Sequence, residues 1–217
     1  GRAASTASLS VKDVAVLKDS SDPLYVRAKS NLFALRMQES DAMAKKGLSK
    51  ESSKIALEAV SEFETVLNGI VEPRRLAWST LATAHFSLGN AFMAKREIKK
   101  ALKHSDTALQ TWRLEDAGNW SQDFISALYL SGSASLLLGQ YEKSLDRFQE
   151  VLSLAGHDSD LRIEVIGSRI RRLKAIQHLV QTNSVKEQAS ALLPLFNRMP
   201  VQPAALKKDL DDLLGNR

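Results

Sequence analysis

The chain has 217 residues, 44% of them hydrophobic and 25% charged, with a formal net charge of +5 and no cysteine. That length can bury a sizeable core in one domain or one elongated array. The missing cysteines exclude a disulfide framework and a thiolate metal site and fit a reducing, intracellular compartment, and no apolar run approaches the roughly 20 residues that span a bilayer.

The opening stretch, "GRAASTASLS", carries Arg2 and several Ala and Ser, with no acid before Asp13. This composition fits a flexible extension over residues 1–18, or the remnant of a plastid or mitochondrial transit peptide. Asp22 is an N-cap with Pro23 in the first turn, and Tyr25, Ala28, Leu32 and Leu35 follow as a helical stripe. Lys45, Lys46 and Gly47 supply a cationic helix end and a left-handed stop. Ile55, Ala59, Phe63, Val66 and Leu67 share a face of the next helix, closed by Asn68-Gly69.

Pro73 opens a third helix, which Gly89 separates from a fourth; Gly139 divides residues 119–138 from 141–155 in the same way. Ile166, Ile170, Leu173 and Val180 mark a seventh helix, and Val185, Ala189, Leu192 and Phe196 an eighth. "NRMPVQP" then breaks the chain before Leu206, Leu210, Leu213 and Leu214 end it with a short helix. No segment alternates apolar and polar residues for long, so no sheet is expected. The reading is all-α, in one domain over 19–217. Its pairs cover about 23–68, 73–114, 119–155 and 159–198, with a terminal helix over 203–215.

One unit is written more than once. Residues 81–102, "LATAHFSLGNAFMAKREIKKAL", align with 131–152, "SGSASLLLGQYEKSLDRFQEVL", matching Ala84 to Ala134, Leu88 to Leu138, Gly89 to Gly139 and Leu102 to Leu152. Trp78, Leu81, Ala82 and His85, then Ala94 and Ile98, occupy tetratricopeptide marks, with Asp106 where Pro is usual. The second copy gives Leu128, Ser131, Gly132, Ser135, Gly139, Tyr141, Ser144 and Phe148, and a fainter third ends in Ala59 and Phe63. The chain resembles a tetratricopeptide repeat (TPR) protein. The resemblance covers residues 50–155 well and the flanks by helix-pair pattern. It implies a right-handed α-solenoid of about four helix pairs with a C-terminal capping helix. Phe63 to Ile98 is a normal 35 residues (98 − 63), whereas Ile98 to Phe148 is 50 (148 − 98), about 16 beyond the usual repeat. The excess falls in residues 105–122: Thr107–Leu114 extends a helix, and "EDAGN" bends the chain.

Signs of catalysis are absent. There is no Gly-rich phosphate loop, no paired His on a helix and no nucleophile elbow. His85, His104, His157 and His178 are scattered, and Asp209, Asp211 and Asp212 read as a solvated face. No enzyme, metal or cofactor is expected. The resemblance implies a protein-binding scaffold, an assembly factor or complex subunit, whose groove is lined by the first helix of each pair. One subclass clamps acidic chaperone tails with Lys, Asn and Arg. Here those positions are Leu76, Ser79, Thr80, Thr83, Ser126, Leu130 and Ser133, which disfavours that clamp.

The expected groove, Thr80, Thr83, Phe86, Ser126, Tyr129, Leu130 and Ser133, is small, neutral and moderately apolar. It suits an apolar segment, with Tyr129 as anchor. Trp112 and Trp120 are either further anchors or core. The alternative is an RNA-associated repeat protein. Lys95, Arg96, Lys99, Lys100 and Lys103 form one basic cluster, and Arg162, Arg169, Arg171, Arg172 and Lys174 a second. Either cluster would also steer an acidic protein partner. Neither is interleaved with aromatics for base stacking, so protein is the favoured partner.

Overall fold

The computed structural model describes residues 23–70, 78–115, 121–155, 161–180 and 184–215. The expected extension over 1–18, Asp22, Pro73, Leu76, the bend after Glu115, Trp120 and His157 lie outside the described residues. Within those residues there are nine helices and no strand. They are α1 (Pro23–Lys45), α2 (Ser49–Asn68), α3 (Trp78–Ala94), α4 (Ile98–Glu115), α5 (Gln122–Leu137), α6 (Tyr141–Ala155), α7 (Ile163–Leu179), α8 (Ser184–Asn197) and α9 (Ala204–Leu214). The chain divides into two units, Gly1–Ala84 and His85–Arg217.

In the first unit α1 packs along α2. The buried face of α1 is Val26, Phe33 and Ser40, seven residues apart and therefore two turns apart on one side. This corrects the expected stripe, because Leu35 is 62% exposed while Phe33 stacks on Phe63 with ring centroids 4.8 Å apart. Beside that stack the Glu62 carboxylate accepts from Lys29 at 2.8 Å and Arg36 at 2.7 Å. The Lys29 hydrogen bond, outweighing partial burial, holds Glu62 below the usual carboxylate range.

In the second unit α4 packs on α5, α5 on α6, and α6 on α7. The terminal helix α9 closes over both α7 and α8, burying Ile166, Ile170, Leu173, Val185, Phe196, Leu206, Leu210 and Leu213 in one core. The four leucines assigned to the terminal helix are all buried. Val180 departs from its stripe, because α7 stops at Leu179 and leaves it exposed.

The hairpin turns correct the repeat alignment. Gly89 does not end a helix; α3 runs through it to Ala94. The left-handed turn residue between α3 and α4 is Arg96, φ 60°, and its counterparts are Gly47 at φ 80° and Gly139 at φ 73°. In each turn the next residue's N–H reaches back five residues: Leu48 to Met43 at 3.0 Å, Glu97 to Phe92 at 2.9 Å, Gln140 to Ser135 at 2.9 Å. The second and third pairs are therefore offset by 43 residues (139 − 96), not 50.

With that offset Gly89 corresponds to Gly132, Ala101 to Ser144 and Ser105 to Phe148. The marks of the second pair move two turns along the chain, to His85, Leu88, Gly89, Phe92, Ala101 and Ser105. A Cβ on Gly132 would stand 2.8 Å from Phe148 Cε1; one on Gly89 would stand 3.5 Å from the Ala101 carbonyl. Both glycines sit where the two helices of a pair meet. The first pair places Ser40 there, its hydroxyl donating to the Ser52 carbonyl at 2.9 Å.

A slip of seven residues leaves the apolar stripe on the same face. Hydrophobic pattern alone therefore tolerated the wrong alignment. Asp106 is likewise not a stop but a mid-helix residue of α4, and Thr107–Leu114 continue that helix as expected.

Candidate functional site

The second unit contains a cleft of about 390 Å³ between three first-of-pair helices. Phe86, Asn90 and Met93 of α3 form one side; Ser126, Tyr129, Leu130, Ser133 and Leu137 of α5 form the floor; Glu164 and Arg171 of α7 form the other side. Ser121 fixes the start of α5 by accepting from the Phe124 N–H at 3.2 Å. Helical spacing then carries Ser126, Leu130, Ser133 and Leu137 along one side of α5.

Tyr129 is held by three neighbours. Its hydroxyl lies so close to α7 that a Cβ on Gly167 would stand 2.5 Å from it. Its ring tilts against Phe148 at 6.1 Å, and the Arg171 guanidinium lies over it at 5.2 Å. Burial pushes its phenol above the ordinary value. Tyr129 thus spends much of its ring on internal contacts, and Leu137, 65% exposed, is the apolar group most open at the cleft.

The cleft is charged, which corrects the expectation of a neutral groove, because α7 contributes two ionised side chains that the first-helix positions of the middle repeats do not include. Arg171 donates to Asp209 of α9 at 3.3 Å and to the Ser133 hydroxyl. Lys174 joins the same aspartate and lies 3.5 Å from Asp212. Asp209 and Asp212 are accordingly ion-paired to α7, and Asp211 pairs with Lys207 at 2.8 Å, so the expected solvated acidic face is a set of salt bridges. Glu164 accepts from the Ser126 hydroxyl at 2.8 Å, and no cation among the described residues pairs with it.

Five of the seven expected groove residues, Phe86, Ser126, Tyr129, Leu130 and Ser133, come together here. Thr83 is not among its lining residues, and both Thr80 and Thr83 belong to the first turns of α3. The two-turn correction puts Asn90 where Thr83 was expected, so an Asn does border the cleft. Asn90, Met93, Leu137 and Glu164 were missed, and the 43-residue offset of the turns is the signal that locates those on α3.

The basic residues are divided between a turn and two helices. Lys95 and Arg96 belong to the α3–α4 turn, whereas Lys99, Lys100 and Lys103 ride α4. Lys100 lies 3.2 Å from Glu97 and over the Phe92 ring. Arg171 points into the cleft, apart from Arg169 and Arg172, because residues one or two apart occupy different sides of a helix. Trp112 is core, its ring 6.1 Å from Phe86 and 6.2 Å from Phe124.

His85 and His104 meet between α3 and α4 with their Nδ1 atoms 3.0 Å apart, and His104 stacks on Phe92. Burial first, then the neighbouring His104 and Lys103, brings His85 down to about 4. No group of three or more His, Asp or Glu among the described residues could hold a metal ion. No described helix is long and apolar enough to cross a membrane.

No family model matches the chain, and no curated protein matches it. Solved structures do. One holds nearly identical TPR-like repeats from a Podosopora anserina chain assigned to the kinesin light chains. It aligns with a TM-score of 0.59 at 12% identity, covering 87% of each chain. A variant form of that protein aligns with a TM-score of 0.52 at 14% identity, covering 85% of this chain and 82% of the other. At such identity the likeness is one of fold, and the fold is that of a TPR-like, all-α helical repeat.

Proposed function

We propose that this TPR-like helical-repeat chain is a non-catalytic scaffold for protein partners, an assembly factor or subunit of a larger complex, and that the α3–α5–α7 cleft seats an apolar segment of the partner. The cleft itself carries the reading. It is open, it runs across successive first-of-pair helices, and its apolar lining includes Phe86, Met93, Leu130 and the exposed Leu137. Apolar side chains gathered in a concave site with a few polar groups are how such surfaces take a peptide. RNA binding through the basic residues of α4 and α7 has less support, since Glu97 pairs with Lys100 on α4 and Asp209 with Arg171 on α7.

Affinity capture from the native source tests this, using the wild-type chain, Leu137→Glu, and the double variant Lys99→Glu/Lys103→Glu, each with and without nuclease. The proposal expects a nuclease-resistant set of proteins that Leu137→Glu loses and the double variant keeps. A set that vanishes with nuclease and with the double variant would replace it with the RNA reading.

A further inference from the structure

The charge balance of the cleft narrows the chemistry of its occupant, given the proposal that the cleft seats a partner segment. Glu164 and Arg171 both line it from α7, seven residues and therefore about 10 Å apart along the helix. Their situations are opposite. Arg171 is already bonded to Asp209 and Ser133 and lies over the Tyr129 ring, so its charge is spent within the protein. Glu164 receives one neutral hydrogen bond, from Ser126, and no cation among the described residues pairs with it. A carboxylate has capacity for several donors, and a half-buried one gains from a charged donor.

We infer that the segment seated in this cleft is apolar and carries one basic side chain, Lys or Arg, placed to donate to Glu164 while its apolar residues pack on Phe86, Leu130 and Leu137. The net charge of +5 permits an acidic partner, and the basic clusters of α4 and α7 would steer one. The charge left uncompensated inside the cleft has the opposite sign, and at short range the local carboxylate decides which side chain sits beside it.

The test is a selection of a random library of short displayed peptides on the purified chain. Enriched peptides are then titrated by fluorescence polarisation against wild type, Leu137→Glu and Glu164→Gln, with circular dichroism confirming that each variant is folded. Enriched peptides should combine apolar residues with a Lys or Arg. They should lose binding to Leu137→Glu and weaken about tenfold on Glu164→Gln. Changing the peptide's Lys to Gln should weaken wild-type binding equally and remove the effect of Glu164→Gln. Peptides that need Leu137 but ignore Glu164 would overturn the basic residue and leave the cleft reading standing. A selection that enriches nothing, or only peptides indifferent to Leu137→Glu, would overturn the cleft reading itself.

Discussion

Arg96 and Gly139 hold the same place in successive hairpins, 43 residues apart, both with positive φ (60° and 73°) and both followed by an N–H that bonds five residues back. Glycine adopts that conformation freely, whereas a residue with a Cβ is strained there by about 1–2 kcal/mol. Arg96→Gly is therefore expected to stabilise the protein by about 0.5–1 kcal/mol after the greater freedom of the unfolded glycine is subtracted. Gly139→Ala should destabilise it by about 1 kcal/mol. Urea denaturation of both variants checks the opposite signs.

Gly132 and Gly89 are also equivalent, yet their replacement by alanine should differ in cost. At Gly132 the new methyl meets the fully buried Phe148 ring at 2.8 Å and Arg147 Cβ at 3.1 Å. At Gly89 the nearest atom is a Leu130 methyl at 3.1 Å, the end of a flexible chain. Overpacking should outweigh the helical gain at Gly132, a net loss of about 1–2 kcal/mol, and roughly cancel it at Gly89. Thermal melts of the two variants separate these cases.

Asp106 ties three helices together. It accepts from Ser131 of α5 at 2.8 Å and from Lys143 and Arg147 of α6 at 2.6 and 3.5 Å. Arg147 also lies 3.5 Å from Glu150, which receives Arg113 of α4 at 2.6 Å. Asp106→Ala leaves the Ser131 hydroxyl and Lys143 without this acceptor and Arg147 with Glu150 alone, and should cost about 1–3 kcal/mol. Asp211→Ala, which breaks an exposed i,i+4 pair with Lys207, should stay within about 0.5 kcal/mol. Equal losses in chemical denaturation would show that the network adds nothing beyond surface pairing.

Acid should loosen the second unit before carboxylates protonate. His85 titrates near 4 in the folded chain against 6.5 when unfolded, so the unfolded state binds the extra proton across that interval. The stability tied to neutral His85 is complete above pH 6.5 and is lost as pH falls toward about 4. Glu62, depressed by Lys29 and Arg36, adds its loss only as pH falls below its ordinary 4.5. Melting temperature should therefore fall between pH 6.5 and 4.5, and His85→Gln should flatten that part of the profile.

Much of the architecture could be read from local chemistry. Gly47, Gly139, "NRMPVQP" and the four terminal leucines each punctuate or bury as their types dictate. The alignment of the second pair could not be read that way. Its left-handed position is filled by Arg96, which hides the turn, while Gly89 lies mid-helix and imitates one. Because seven residues are nearly two full turns, the displaced alignment kept every apolar residue on its face. The same error moved the α3 side of the groove, exchanging Asn90 for Thr83. The α7 side escaped notice because Glu164 and Arg171 belong to a helix with no recognised repeat marks.

The account rests on the cleft as the surface that meets a partner, and site-specific photocrosslinking reads that directly. A benzoyl-phenylalanine placed at the exposed Asn90 lies at the cleft, whereas one at the exposed Gln149 of α6 lies outside its lining. The account predicts a covalent partner adduct from position 90 that Leu137→Glu abolishes, and none from position 149. Adducts that form at 149 but not at 90, or that form at 90 regardless of Leu137→Glu, would contradict it.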